Sequence, residues 1–153
     1  MDRAKLRFTL TRKIRDNLSA GIEWNPYAEQ VSPLANWRMV SETDTRPAVI
    51  LGTSSDRIGT PYGQSFYVTI SKDVSPWVRA PVAPYVGVAY GTYDDRARVI
   101  GGVNIRVTGT VSSLVLFDGV KVHPTVSWSR GHHTISFVLA HATDPGVSYS
   151  VGF

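Results

Sequence analysis

Arginine is the residue type through which this chain has most scope for chemistry. Its 153 residues carry 12 Arg against 4 Lys and 3 Glu. Several cations stand at every second position among hydroxyl, amide or glycine neighbours: Lys5 and Arg7 with Thr9 and Thr11, and Arg98 and Arg106 with Gly102 and Asn104. Arg38 joins this set, and the acids available to oppose it are Glu23, Glu42 and Asp118. A guanidinium keeps its charge in confined surroundings and grips a carboxylate or phosphate through two parallel N–H bonds. Two uses follow. Cations lining an interior would favour anionic solutes or acidic glycans, since charge of one sign sets the selectivity of a passage. Alternatively, Arg–Glu ladders would fill a closed interior and stiffen it.

Other chemistries find less support. His123 falls on the same polar alternation as Thr125 and Ser127. His132 and His133 point to opposite faces of any strand, and His133 and His141 share a face about 26 Å apart at strand rise. No carboxylate pair with ligand spacing joins them, so neither a metal nor a cofactor is expected. Asp56, Asp94, Asp95 and His141 fall in or beside turns, and nothing in the spacing brings them together for hydrolysis. No phosphate loop, metalloprotease helix or dinucleotide fingerprint occurs. A non-catalytic protein is the expectation. The pI is near 9.6, yet the cations are scattered without the contiguous stripe that tracks nucleic-acid phosphates, and no nucleic-acid partner is expected.

The elements that must position these residues are strands. Helical periodicity is nearly absent, and alternating segments separated by turn residues fill the chain. They are Ala4–Lys13, Leu18–Tyr27, Ala35–Thr43, Pro47–Thr53, Gln64–Asp73, Pro84–Tyr93, Arg98–Val107, Thr110–Asp118, Val120–Ser129, His132–Ala142 and Gly146–Phe153. Asp118-Gly119 and Arg130-Gly131 mark tight turns, where glycine supplies positive φ. Longer connections are expected over Ala28–Leu34, Ser54–Gly63 and Val74–Ala83. Parallel crossovers would need helices, so the meander is antiparallel. At 42% hydrophobic and 18% charged residues the chain is too apolar for disorder. It has no cysteine, which excludes disulfides and thiolate metal centres. With neither a transmembrane helix nor a signal segment, it reads as cytosolic or as the mature part of an exported protein.

Alternation reports two faces without saying which faces water. A soluble sandwich turns its apolar face inward; a membrane barrel turns it toward lipid and its polar face into the lumen. Three features favour the second. The polar face is rich in Ser, Gly, Thr and Asn, whereas outward Lys and Glu are scarce. Aromatics stand near segment ends: Trp24, Tyr27, Trp37, Tyr93, Trp128 and Phe153, where girdles sit at the two membrane–water interfaces. The chain also stops on an alternating segment, Val147-Ser148-Tyr149-Ser150-Val151-Gly152-Phe153.

This terminus resembles the final strand of bacterial outer-membrane β-barrel proteins, which ends in alternating apolar residues and a terminal Phe. The resemblance implies an outer-membrane location and recognition by the barrel-assembly machinery, with Val147, Tyr149, Val151 and Phe153 as the signal. A second segment is similar to one in exopolysaccharide-associated outer-membrane barrel proteins: Pro47-Ala48-Val49-Ile50-Leu51-Gly52, Asp56, Gly59-Thr60 and Tyr67-Val68-Thr69-Ile70-Ser71-Lys72. The expected fold is an all-β, antiparallel up-and-down barrel of the transmembrane type with roughly 8–12 strands, a single domain over residues 1–153. Lys5, Arg7, Glu23, Arg38, Glu42, Arg98, Asn104, Arg106, Asp118 and His123 would line its lumen. Its partner would be a lipid bilayer, and its function that of a small pore or membrane anchor with an anionic solute or glycan to pass. The alternative is a soluble β-sandwich or barrel that binds a ligand or self-assembles. An even count of eight or ten is expected of a self-contained barrel, and a second chain could complete an odd one.

Overall fold

The structure, a computed structural model, describes residues 6–58 and 60–152. Among these residues the chain forms β1 (Phe8–Arg15), β2 (Leu18–Asn25), β3 (Gln30–Val40), β4 (Ala48–Ser55), β5 (Gln64–Ser71) and β6 (Val82–Gly91). They are followed by β7 (Arg96–Arg106), β8 (Val111–Phe117), β9 (Val122–Arg130), β10 (His133–Ala140) and β11 (Asp144–Val151). A one-turn helix, α1 (Ser75–Val78), interrupts the connection from β5 to β6. The strands make one antiparallel up-and-down sheet in chain order from β1 to β11.

Three expectations need correction. The eleven alternating segments are eleven separate strands, so the preferred count of eight or ten is wrong. The sheet is also not closed into a barrel. In an odd meander the first and last strands run the same way, so they could not complete an antiparallel ladder. The connection expected over Ala28–Leu34 is shorter: Gln30–Leu34 is the start of β3, where Pro33 pairs with Ile22 inside the ladder and its carbonyl accepts from Gln64 Nε2 at 2.9 Å.

Contacts divide the chain into two compact units, one of Met1–Ile70 and Gly87–Val99, the other of Ser71–Val86 and Ile100–Phe153. In the first, Phe8 pairs with Trp24, Leu10 with Ile22, Trp24 with Val31, and Leu18 with Trp37 on one face. The opposite face carries Thr9 against Glu23, Glu23 against Ser32, and Ser19 against Asn36. The second unit repeats the division. Trp128–Ile135–Tyr149 and Val126–Phe137–Val147 form apolar rows, and Ser127–Ser136–Ser148 forms a polar one. Within the polar rows, Ser127 and Ser136 are hydrogen-bonded at 2.8 Å, and Ser129 and Thr134 at 2.9 Å.

Burial is inverted relative to a water-soluble sheet. Phe8, Ile22 and Trp24 in the first unit, and Trp128, Ile135 and Phe137 in the second, are each about half exposed. Among the described residues the buried hydrophobic set is Ala48 alone, whereas Glu23, Asn25, Ser32, Ser55, Thr60, Ser65 and His123 are buried. The side chains withdrawn from the surface are thus the small and polar ones. The apolar rows are exposed, as are both faces of β1 and all of β11 but Gly146.

Candidate functional site

On the polar face of the first unit, Arg7 approaches Glu23 at 3.5 Å, and Glu23 itself is only 4% exposed. Burial this deep of a carboxylate requires a partner, and the cation across the ladder supplies one. Nearby in sequence, Asn25 is also buried, and both of its amide atoms, together with Gln30 Oε1, have no hydrogen-bond partner among the described residues. The remaining expected lumen residues do not gather into one array. Arg38 donates from Nη2 to the Asp16 carbonyl at 3.1 Å, beside the β1–β2 turn. Glu42 lies beyond the end of β3, in the connection to β4. Asn104 and Arg106, expected to line an interior, are exposed, whereas Val103 beside them is half-buried. Lys5 lies outside the described residues.

Arg98 belongs to a hub formed by two connections of the first unit. The β4–β5 connection contributes Asp56, Arg57, Thr60 and Tyr62, and the β6–β7 turn contributes Tyr93 and Asp94. Asp56 ties the two together: its Oδ1 accepts the Arg57 N–H at 2.7 Å and its Oδ2 the Tyr93 N–H at 3.0 Å. That carboxylate fills the space where a Cβ would stand at Gly63 and at Gly91, so both positions require glycine, the former also for its φ of 116°. Across the hub, Asp94 Oδ2 accepts from Arg57 Nη2 at 2.9 Å and from Arg98 Nη2 at 2.6 Å. The hydrogen bond from Arg57, then that from Arg98, holds the Asp94 carboxyl below the usual carboxylate range. Tyr62 and Tyr93 meet edge to face with ring centroids 5.0 Å apart.

A second cluster lies in the other unit. Asp118 begins the β8–β9 turn, and its Oδ1 accepts the N–H groups of Val120 at 2.9 Å and Lys121 at 2.7 Å. Its Oδ2 lies 2.9 Å from Nε2 of His123, which is 1% exposed. The other imidazole nitrogen, Nδ1, accepts the backbone N–H of His141 at 3.0 Å. Nδ1 is therefore the acceptor and Nε2 carries the proton, which it donates to Asp118. His141 can aim its N–H this way because it adopts left-handed backbone, φ 57°. Burial raises the Asp118 carboxyl, but the N–H groups of Lys121 and Val120 together with His123 outweigh it, and its pKa lies below the ordinary value. Each nitrogen of His123 is occupied, so the cluster pins two turns together and offers no free base for proton transfer.

The aromatic candidates lie at the surface. Trp24 stacks on Phe8 with centroids 5.4 Å apart, and Trp24, Tyr27, Trp37, Tyr93 and Trp128 are all exposed. Val147, Tyr149 and Val151 share the outward face of β11; Phe153 lies outside the described residues. The hub at Asp56, Arg57 and Asp94 escaped the reading of spacing, because 37 residues separate Arg57 from Asp94. The signal available was local, a loop holding Arg, Tyr and glycine in place of the usual short hairpin turn. Compared with known proteins, the chain matches no family model, no curated protein and no solved structure.

Proposed function

We propose that this chain is a non-catalytic, membrane-spanning β-protein of the bacterial outer-membrane type, serving as a small pore or membrane anchor whose polar interior accommodates anionic solutes or glycans. The inverted burial carries this reading. A half-exposed large apolar side chain forfeits about 1 kcal/mol in water. Ten of them, Phe8, Leu10, Ile22, Trp24, Trp37, Val126, Trp128, Ile135, Phe137 and Val147, would together match the net stability of a typical domain, about 5–15 kcal/mol. Lipid removes that penalty. The small, mutually bonded polar face then lines the interior, as in spanning barrels. Barrel closure belongs to the proposal. With eleven strands it needs a parallel seam, a further strand, or a second chain. The terminal strand is the segment that barrel-assembly machinery would recognise.

The test is partition and conductance. The chain is expected to need detergent for solubility and to insert into planar bilayers, where exchanging Arg98 for Glu shifts ion preference toward cations. A chain that remains folded and monodisperse in buffer without detergent overturns the membrane reading. Insertion without conductance would assign the anchor role in place of the pore.

A further inference from the structure

We propose that Arg57 and Arg98, bridged by Asp94, and the Tyr62–Tyr93 pair carried by the same two connections form a binding site for a carboxylated sugar, such as a uronate unit of an acidic oligosaccharide. The two guanidinium groups converge on one oxygen, Asp94 Oδ2. The triad carries two positive charges against one negative, and the Asp56 carboxylate, which accepts the Arg57 and Tyr93 N–H groups, balances the second. Each guanidinium has five N–H donors and uses Nη2 on Asp94, so both retain donors for an incoming carboxylate. The side chains of Arg57, Arg98 and Asp94 are about one-quarter exposed. They can be reached from solvent, yet are desolvated enough to strengthen an ionic contact beyond its value in open water.

The site is built before any ligand arrives. Asp56 fastens the Arg57 and Tyr93 backbones and packs against Gly63 and Gly91. The ordering cost is thus met by folding and not by binding. The aromatic pair selects the kind of anion. Tyr62 is 59% and Tyr93 38% exposed, and such rings suit the C–H face of a pyranose, which phosphate or a simple carboxylate lacks. This inference rests on the proposed function, whose solute class it names.

The experiment is calorimetric titration of the full chain in detergent micelles with trigalacturonate, a matched neutral trisaccharide and inorganic phosphate. Trigalacturonate is expected to bind saturably, with at least tenfold weaker binding of the neutral sugar. Arg98→Gln should weaken the uronate tenfold or more, and Tyr62→Ala several-fold. Tyr62 is exposed, so its variant keeps the fold, which circular dichroism verifies. Absence of saturable binding, equal binding of the neutral sugar, phosphate competing as well as the trisaccharide, or indifference to both substitutions would each overturn the assignment. The readout is independent of conductance. Uronate binding by a chain that fails to insert in bilayers would sink the membrane reading and leave this site standing, and the reverse outcome would sink the site alone.

Discussion

Tyr67 lies across Gly52: a Cβ at Gly52 would stand 2.5 Å from the tyrosine Cζ. The hydroxyl of Tyr67 reaches on to donate to Asn36 Oδ1 at 2.6 Å. The other unit repeats the device, with the Tyr85 ring 2.8 Å from the position of a Gly102 Cβ. Glycine alone weakens a strand, and an aromatic side chain from a neighbouring strand restores the lost contact. Gly52→Val is expected to cost about 1–3 kcal/mol by overpacking, read as a lower urea midpoint. Adding Tyr67→Ala to that variant should recover part of the loss. A double variant no better than the sum of the two single ones would show that the ring and the glycine do not interact.

The apolar face yields a prediction that separates lipid from water. Ile22 and Ile135, one in each unit, are about half exposed. In water, Ile→Arg at such a surface position changes stability by less than about 0.5 kcal/mol. Facing hydrocarbon near the midplane, the same change costs about 2–4 kcal/mol. Urea titration of folding into lipid vesicles is expected to give the larger penalty for both variants. Near-neutral values at both positions would place that face in water.

Asp118 predicts acid sensitivity. It sits in a turn, and its carboxyl ionises below the ordinary value, burial being outweighed by the Lys121 and Val120 N–H groups and by His123. The folded chain therefore binds this proton less readily than the unfolded chain, whose value is about 3.9. The stabilisation from Asp118 is complete above about pH 5 and is lost as the pH falls through the folded value. Asp118→Asn should flatten the acid limb of a stability–pH curve while lowering the neutral plateau. A variant curve parallel to the wild type at every pH would remove Asp118 from that role.

The strands were legible because alternation has a direct physical cause: successive side chains face opposite ways. Each of the eleven alternating segments overlaps a strand of the structure, and the polar set opposite Phe8, Ile22 and Trp24 could be read from period two alone. What misled was punctuation. The connection expected over Ala28–Leu34 fails at Gln30–Leu34, which belongs to β3; Pro33 stands in that ladder, where proline is tolerated at a rung that does not require its missing N–H. Closure is beyond periodicity altogether, since it depends on how the ends of the sheet meet and not on any local pattern.

Less of the candidate site could be read. Arg7 and Glu23 fall on one face by parity, and the structure brings them to 3.5 Å. Asp118 was assigned to oppose arginines and is instead taken by His123 and the N–H groups of its own turn. A carboxylate that opens a tight turn has backbone donors within two or three residues, and these compete with any cation further away. The meeting of Arg57 with Asp94, like that of His123 with the His141 backbone, joins separate turns. Neither is encoded in the spacing within one segment.

Asp56 provides the sharpest local test of the hub. Its carboxylate accepts the backbone N–H groups of Arg57 and Tyr93, which lie in different connections. Charge-assisted bonds of this kind are each worth about 1.5–3 kcal/mol. Asp56→Ala removes both acceptors and leaves the two connections joined through Arg57 and Asp94. The Tyr93 amide is then expected to exchange its hydrogen about 10- to 100-fold faster, each factor of ten corresponding to about 1.4 kcal/mol of local opening. Asp56→Asn keeps an acceptor oxygen but loses the charge, and should fall between the two. Exchange measured residue by residue by mass spectrometry reads the effect, with β9 and β10 amides as the internal reference. If Tyr93 exchanges at the wild-type rate in the alanine variant, Asp56 does not hold the hub together, and the rigidity claimed for the Arg57–Asp94–Arg98 triad must come from another source.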